Sequence, residues 1–209
     1  MKPYISKLVP FFVLLGAGFP LAILRRGWLF EILNAIHRPG LNEFFAVVTY
    51  LGDATYAILI ALLIYWYKPL KWVYAFVIGF ALHAVFVHVF KQWLAHGFER
   101  PFLYYQQIGL SHAFDWIEGL SMKKLNSFPS GHTTTVFFFA SFLSSVLDSK
   151  RLPYLLTIVA LTAGVSRVYL GQHWYIDVYA GMLFGVWSTL IALYIMLRYP
   201  KSWFEKCRN

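Results

Sequence analysis

Long apolar blocks dominate this sequence and restrict what it can fold into. The blocks are Leu8–Leu24, Phe44–Tyr67, Trp72–Trp93, Thr133–Leu147, Leu152–Leu170 and Ile176–Leu197. A helix that crosses a bilayer needs about 17–25 mostly apolar residues, and in lipid its backbone groups must hydrogen-bond within the helix. The sequence therefore predicts an all-α, polytopic membrane protein with six transmembrane helices in one bundle and a single membrane-embedded domain over residues 1–209.

Composition and charge agree with a membrane protein. Only 13% of residues are charged and 59% are hydrophobic, whereas soluble domains carry about 25% charged residues. The net charge of +9 does not predict nucleic-acid binding, because the basic residues flank the apolar blocks, as membrane anchoring requires. The single cysteine, Cys207, permits neither an intrachain disulfide nor a cysteine metal site.

Two of the blocks leave alternatives open. For Leu8–Leu24 the alternative to a retained helix is a cleaved signal peptide, although the block is long for a signal core and no clear cleavage site follows it. In the second block, Asp53 either lies near the outer end of one long helix or caps a helix that begins at Ala54. In the second case Asn42–Leu51 would lie in the membrane interface.

The distribution of basic residues predicts the orientation. With both termini cytoplasmic, ten Lys and Arg residues fall on the inner side and eight on the outer side. Without the candidate site residues Lys91, Arg100 and Arg167, the outer count falls to five, so the positive-inside rule favours this orientation. The long loop His96–Phe128, between helices three and four, and all candidate site residues then lie on the outer face. For a small chain of this kind we expect the bacterial inner membrane, with a periplasmic site.

Three ionisable residues lie together where the last two blocks adjoin: Arg167, His173 and Asp177. Such residues are costly near a bilayer, so they indicate chemistry. If the sixth helix begins near His173, then His173 and Asp177 share one face. The carboxylate can accept one ring N–H and leave the other nitrogen free as a nucleophile. The alternative is an interfacial histidine and a helix-start aspartate with no partner.

The residues Ser130, Gly131 and His132 precede the fourth helix. Ser130 is a natural N-cap, and the N–H groups of Gly131 and His132 would face an anion at the helix N-terminus. His132 is then placed to protonate a leaving alkoxide as a general acid. An ordinary capped helix with an interfacial histidine is the alternative.

Two cations, Lys91 and Arg100, lie on either side of the end of the third helix. Arginine can bind phosphate through two parallel hydrogen bonds, whereas lysine acts as a point charge. Lys91 could instead extend to the lipid headgroups, and Arg100 could form an exposed ion pair with Glu99. Of two nearby histidines, His88 could line the site, while His83 is expected to hydrogen-bond within the bundle.

Together these motifs resemble the type-2 phosphatidic acid phosphatase superfamily. The matching residues are Lys91 with Arg100-Pro101, Pro129-Ser130-Gly131-His132, and Ser166-Arg167 with His173 and Asp177. The resemblance implies a metal-independent phosphatase with a phosphohistidine intermediate and no cofactor. It also implies that His173 is the nucleophile, that Asp177 orients it and that His132 is the general acid. The phosphoryl group would be bound by Lys91, Arg100, Ser130, Gly131 and Arg167.

The first motif departs from the family pattern. Eight residues separate Lys91 from Arg100, where the family usually has six. On an unbroken helix this spacing puts the two cations on opposite faces. Gly97 offers a break that would absorb the extra length.

The expected activity is hydrolysis of a phosphomonoester or diphosphate of a membrane lipid. Candidate substrates are phosphatidylglycerol phosphate, phosphatidic acid, undecaprenyl diphosphate and lipid A, and the sequence does not choose among them. Alternatives are phosphotransfer to a second lipid through the same site and a non-catalytic, anion-binding transporter. His112, Asp115 and Glu118 in the long loop do not have a spacing that demands a metal. The Phe102–Leu125 loop is expected to shape headgroup access, and the sequence does not predict an oligomeric state.

Overall fold

The computed structural model describes residues 1–206, so Cys207 and Arg208 lie outside the described residues. All regular secondary structure in this range is helical. The α-helices are α1 Lys2–Lys7, α2 Val9–Ala22, α3 Trp28–Asn34, α4 Pro39–Val48, α5 Tyr56–Tyr67, α6 Leu70–Val89, α7 Pro101–Gln107, α8 Gly131–Val146, α9 Leu152–Tyr169 and α10 Tyr175–Arg198. Short 3₁₀ turns lie at Thr49–Gly52 and Ser111–Ala113, and a π-helical turn at Phe90–Leu94 continues α6.

Within residues 1–206, three continuous helices are long and apolar enough to cross a membrane. They are α6 with its π turn (Leu70–Leu94), α9 and α10. A fourth span arises if α4, its 3₁₀ extension and α5 count as one element, which bends by 55° at residues 53–55. The all-α membrane architecture is therefore confirmed, whereas the number of six spans stays a prediction.

The bend between α4 and α5 lies at Asp53. The Asp53 backbone is extended, and its Oδ1 accepts a hydrogen bond from the Thr55 N–H at 2.9 Å. A new helix thus follows Asp53, but it begins at Tyr56 with Thr55 as its N-cap, so the predicted cap at Asp53 and the predicted start at Ala54 are wrong. A carboxylate satisfies an N–H group that the first turn of a helix leaves free.

Helix α8 lies at the centre of the bundle and packs against α6, α9 and α10. Of its 16 residues, 13 are buried, and its serines can be buried because they donate to carbonyls one turn back, as Ser144 does to Ala140 at 2.7 Å. Helix α10 approaches closely through Gly181 and Gly185. A Cβ at Gly185 would lie 2.6 Å from the Thr134 carbonyl oxygen. This contact fixes the register in which the start of α8 meets the start of α10.

The long segment between α6 and α8 is partly ordered as helix. Its α7 helix and the following 3₁₀ turn pack on the N-terminal part of the chain through aromatic rings. Phe30 of α3 lies 5.5 Å from Tyr105 and 5.4 Å from Trp116, measured between ring centroids. The segment thereby covers the end of the bundle at which the candidate residues meet.

Candidate active site

Separate chain segments meet at the N-terminal ends of α8 and α10. The Ser127 N–H donates to the Phe98 carbonyl at 3.0 Å, which joins the segment before α8 to the one after α6. The Ser130 N–H donates to the Asp177 carbonyl at 3.0 Å, which joins the starts of α8 and α10. All three predicted motifs therefore lie at one end of the bundle.

A tight turn between α9 and α10 positions His173. The His173 N–H donates to the Arg167 carbonyl at 3.1 Å, and Gly171 adopts a φ of +64° in this turn. Helix α10 begins at Tyr175, so His173 lies just before the helix that carries Asp177 and not within it. The contact itself is present, since His173 Nδ1 lies 3.4 Å from Asp177 Oδ2.

The hydrogen bonds of His173 determine which ring nitrogen carries the proton. Its Nε2 lies 3.2 Å from Arg100 Nη1. A guanidinium group can only donate, so Nε2 is the acceptor and holds a lone pair. The proton of the neutral ring is then on Nδ1, facing Asp177. Both His173 and Asp177 are 2% exposed, so this arrangement is shielded from water.

The Asp177 carboxylate is held by two further donors. Its Oδ2 accepts hydrogen bonds from the Ser127 hydroxyl at 2.5 Å and from the Trp174 N–H at 2.9 Å. The second contact places a carboxylate at the N-terminus of α10, where the helix dipole also favours negative charge. Neither Ser127 nor Trp174 was among the predicted site residues.

Arg100 is buried and fixed by carbonyl groups as well as by His173. Its Nη1 donates to Gln172 O at 2.6 Å, its Nε to Leu125 O at 2.9 Å and its Nη2 to Asn126 O at 3.2 Å. The alternative of an exposed ion pair with Glu99 is wrong, since Arg100 is only 4% exposed.

Lys91 reaches the same carbonyl as Arg100. Its Nζ donates to Asn126 O at 3.1 Å. The helix ends at Leu94, and Gly97 adopts a φ of +81°, so the predicted break near Gly97 is confirmed. The two extra residues of this motif therefore do not separate the two cations.

The start of α8 has the predicted cap. Ser130 is the N-cap residue, and its Oγ accepts from the Thr133 hydroxyl at 2.9 Å and from the Thr133 N–H at 3.5 Å. Because α8 begins at Gly131, the free N–H groups of its first turn lie beside the start of α10.

The guanidinium group of Arg167 has a hydrogen-bond partner at one nitrogen and lacks one at another. Its Nη1 donates to the Thr49 hydroxyl at 2.7 Å. Its buried Nε is without a hydrogen-bond partner among residues 1–206. An unpaired buried donor costs about 1–3 kcal/mol, and a bound anion would supply the missing acceptor.

The predicted residues also share one electrostatic environment. Burial holds the pKa of His173 well below its usual range, and the charges of Arg100, Arg167, Lys91 and His132 lower this pKa further, in that order. The ring is therefore neutral at physiological pH, as a nucleophile requires.

Two cavities border this region. One, of about 430 Å³, is lined by Lys91, Gly131, His132 and, as predicted, His88. The other, of about 710 Å³, extends from Ser127 and Asp177 along the apolar end of α2 and the start of α3. His83 hydrogen-bonds Thr135 at 2.9 Å inside the bundle, which confirms its predicted role.

The arrangement has the groups that phosphoryl transfer needs, namely an imidazole lone pair, an orienting carboxylate and several cations. Within residues 1–206, no cluster of three or more His, Cys, Asp or Glu residues is placed to hold a metal ion. The catalytic and phosphate-binding roles of the individual residues, and metal independence, stay predictions.

Comparison with known proteins places this site in a family. The sequence profile of the PAP2 superfamily matches residues 70–201. YbjG of Escherichia coli K12, provisionally named an undecaprenyl-diphosphatase, is 34% identical over 139 residues, which cover 59% of this chain and 63% of YbjG. The chain thus spans less than two thirds of the length of this curated relative.

Two crystal structures have a similar fold. LpxE of Aquifex aeolicus aligns with a TM-score of 0.67 at 26% identity and covers 79% of this chain and 93% of its own. A transmembrane PAP2-type phosphatidylglycerolphosphate phosphatase of Bacillus subtilis aligns with a TM-score of 0.63 at 20% identity and covers 97% of this chain and 100% of its own. The profile match, which includes more than half of the chain and all of the candidate catalytic residues, shows that this protein belongs to the PAP2 superfamily.

Proposed function

We propose that this protein is an integral-membrane lipid phosphatase that hydrolyses a phosphomonoester or diphosphate through a phosphohistidine intermediate, without a metal ion. The observation that carries the proposal is the buried contact chain Arg100–His173–Asp177, with 3.2 Å and 3.4 Å between the interacting atoms. It gives His173 a lone pair on Nε2 and a proton on Nδ1. The unpartnered Nε of Arg167 adds a donor that lacks an anion.

In the first step, the Nε2 lone pair of His173 forms a bond to phosphorus while the bond from phosphorus to the lipid oxygen breaks. His132 donates its proton to that oxygen, so the lipid leaves as an alcohol, or as a lipid monophosphate when the substrate is a diphosphate. Asp177 stabilises the phosphoimidazolium, which keeps its Nδ1 proton.

The single lone pair on Nε2 of His173 cannot accept from Arg100 and attack phosphorus at the same time. Substrate binding therefore requires Arg100 to give up its hydrogen bond to His173. The released guanidinium N–H can then bind a phosphoryl oxygen. Lys91, Arg167, the Ser130 hydroxyl and the Gly131 N–H group would stabilise the remaining equatorial oxygens.

In the second step, His132 takes a proton from water, and the water oxygen attacks phosphorus. The bond from phosphorus to nitrogen breaks, its electron pair returns to Nε2 of His173, and inorganic phosphate leaves. Each group ends in its starting protonation state, so the cycle needs no cofactor.

The proposed topology has six spans in one domain over residues 1–209, both termini in the cytoplasm and the long loop between the third and fourth spans on the outer face. The site would then lie on the periplasmic side of a bacterial inner membrane. The distribution of basic residues supports this orientation. The apolar cavity of about 710 Å³ beside Asp177 offers space for part of a lipid chain.

The substrate class is a lipid phosphate. YbjG is named for undecaprenyl diphosphate and the Bacillus subtilis protein for phosphatidylglycerol phosphate. Phosphatidic acid and lipid A complete the set that should be tested.

The test is phosphate release from these four lipids by detergent-purified protein, as wild type, His173→Ala and His112→Ala. We expect wild type and His112→Ala to hydrolyse at least one lipid, with and without EDTA, and His173→Ala to hydrolyse none. Wild type should also form an acid-labile, base-stable phosphoprotein from lipid with a ³²P-labelled phosphate, and vanadate should inhibit it. A folded wild-type protein that releases no phosphate, or activity that persists in His173→Ala, would refute the proposal.

The same labelled substrate separates hydrolysis from phosphotransfer. Label that appears in a second lipid when acceptor membranes are present would indicate phosphotransfer. Label that appears only in inorganic phosphate indicates hydrolysis.

A further inference from the structure

The turn at the bend between α4 and α5 touches two of the candidate site residues. The Thr49 hydroxyl accepts from Arg167 at 2.7 Å. Gly52 packs against His132 so closely that a Cβ on residue 52 would lie 2.5 Å from the His132 carbonyl oxygen. This turn lies outside residues 70–201, to which the family profile matches, so it adds groups to the site from a different part of the chain.

Asp53 follows this turn and shares a cavity with His132. Both side chains line the cavity of about 430 Å³, together with Lys91 and Gly131. The Asp53 carboxylate is held in place because its Oδ1 accepts from the Thr55 N–H at 2.9 Å.

The charges around His132 are mostly positive. Burial acts most strongly on its imidazole and disfavours the protonated form, and the charges that act on it belong to Arg167, Asp53, Lys123 and Lys91, in that order. Of these four, only Asp53 favours the protonated ring. A general acid must hold a proton when the leaving oxygen departs, and three neighbouring cations oppose this.

We propose that Asp53 is a positioning residue whose negative charge, in the cavity shared with His132, favours the protonated form of this ring when the leaving oxygen departs. The Asp53 carboxylate thereby offsets part of the effect of burial and of the three cations on the proton that His132 donates in the first step and accepts from water in the second. Asp53 itself does not gain or lose a proton. This inference rests on the proposed function, because it assigns a partner to the proposed general acid.

The charged and titratable groups that face His132 come from several elements. They are Lys91, His83 and His88 of α6 and its π turn, Arg167 of α9, Lys123 of the segment before α8, and Asp53. Asp53 is the one carboxylate among these groups. Replacing it with a neutral residue therefore removes the one negative charge that faces His132 from this set.

The test is Asp53→Asn in the full-length protein. The asparagine oxygen can still accept from Thr55, so the start of α5 is preserved while the charge is removed. Asp148→Asn is the matched control, because Asp148 is an exposed carboxylate in the turn after the opposite end of α8. Melting temperatures of both variants establish that they are folded.

We expect Asp53→Asn to lower kcat on the lipid substrate about 10- to 100-fold, with KM changed less than about threefold, and Asp148→Asn to match wild type. The alkaline limb of the kcat–pH profile should move to lower pH in Asp53→Asn, because His132 loses its proton more easily. The loss should be smaller with p-nitrophenyl phosphate than with phenyl phosphate, since nitrophenolate leaves without needing a proton.

An alkaline limb that does not move, or an unchanged kcat, in Asp53→Asn would overturn the role of Asp53. The proposed function would still stand in that case, because it depends on the activity of the wild type. An equal loss at every pH and with both leaving groups would assign Asp53 a purely structural role. A wild type that hydrolyses neither lipid nor aryl phosphates would instead refute the proposed function and this inference with it.

Discussion

Asp177→Asn removes the negative charge beside the proposed nucleophile and keeps the shape of the side chain. The asparagine oxygen can still accept from Ser127 and from the Trp174 N–H, which hold Oδ2 at 2.5 Å and 2.9 Å in the wild type. The fold should therefore survive, and the change should act on chemistry.

The size of the effect follows from the distance between the two groups. His173 Nδ1 and Asp177 Oδ2 are 3.4 Å apart. When Nε2 bonds to phosphorus, the ring becomes positively charged, and two unit charges at this separation attract by about 5 kcal/mol at an effective dielectric constant of about 20. Losing this attraction corresponds to a rate loss of about 10³- to 10⁴-fold.

The assay is rapid-quench measurement of phosphoenzyme formation with ³²P-labelled lipid phosphate, together with steady-state kcat. Ser127→Ala is a graded comparison, because it removes one hydrogen bond to the carboxylate and should cost about 1–3 kcal/mol, or about 5- to 150-fold. Asp148→Asn, with the same chemical change at an exposed site, should behave as wild type.

Phosphoenzyme formation by Asp177→Asn within about tenfold of the wild-type rate would refute this role of the carboxylate. In that case the carboxylate would not stabilise a charged imidazole, and the contact with His173 would serve only to order the start of α10. A large loss in phosphoenzyme formation with unchanged vanadate affinity would instead support the charge argument.

Three further predictions test the neighbouring contacts. Gly52→Ala should destabilise the protein by about 1–3 kcal/mol and reduce activity, because its Cβ would lie 2.5 Å from a backbone carbonyl; Gly40→Ala, with nothing within 4 Å, is the thermal-unfolding control. Thr49→Val should raise KM about 3- to 10-fold, since Arg167 loses the acceptor at 2.7 Å, and Thr49→Ser should restore it. Burial keeps His173 neutral in the fold, while in the unfolded chain it binds a proton below about pH 6.5, so acid should destabilise the native state. Lowering the pH from about 7.5 to about 5.5 should therefore lower the Tm of the wild type more than that of His173→Gln. A difference in Tm that stays constant over this range would contradict the prediction.

The residues that meet at this candidate site were predictable because ionisable residues are conspicuous in an apolar sequence. Arg167 and Asp177 lie at the adjoining ends of two spans and His173 lies between them, in a region where each charged group is expensive. Ser130 likewise marks the start of α8 by its capping chemistry. In these cases residue type alone carries the signal.

The groups that hold Arg100 were not predictable, because they are backbone carbonyls. Gln172, Leu125 and Asn126 each contribute only their C=O group to the guanidinium. Every residue has such a group, so the sequence does not reveal which of them will face inward. The same holds for the Asn126 C=O group as the shared hydrogen-bond acceptor of Lys91 and Arg100.

The number of spans is ambiguous for a related physical reason. Hydropathy reports how a helix suits lipid, but α8 is surrounded by other helices, with 13 of its 16 residues buried. Its serines and threonines are satisfied within the protein, so their cost in lipid does not apply. A helix at the centre of the bundle can therefore be less apolar than the helices around it.

The contacts of Arg100 also explain how so many cations can be held together before a substrate arrives. Arg100 and Lys91 are bound to carbonyl oxygens, whose partial negative charge offsets like-charge repulsion without neutralising either group. A carboxylate in the same place would stabilise the empty site more strongly and would compete with the phosphoryl group. Carbonyl ligands leave the net positive charge in place, so in the proposed mechanism a phosphate dianion would gain nearly the full attraction on displacing the contact between Arg100 and His173.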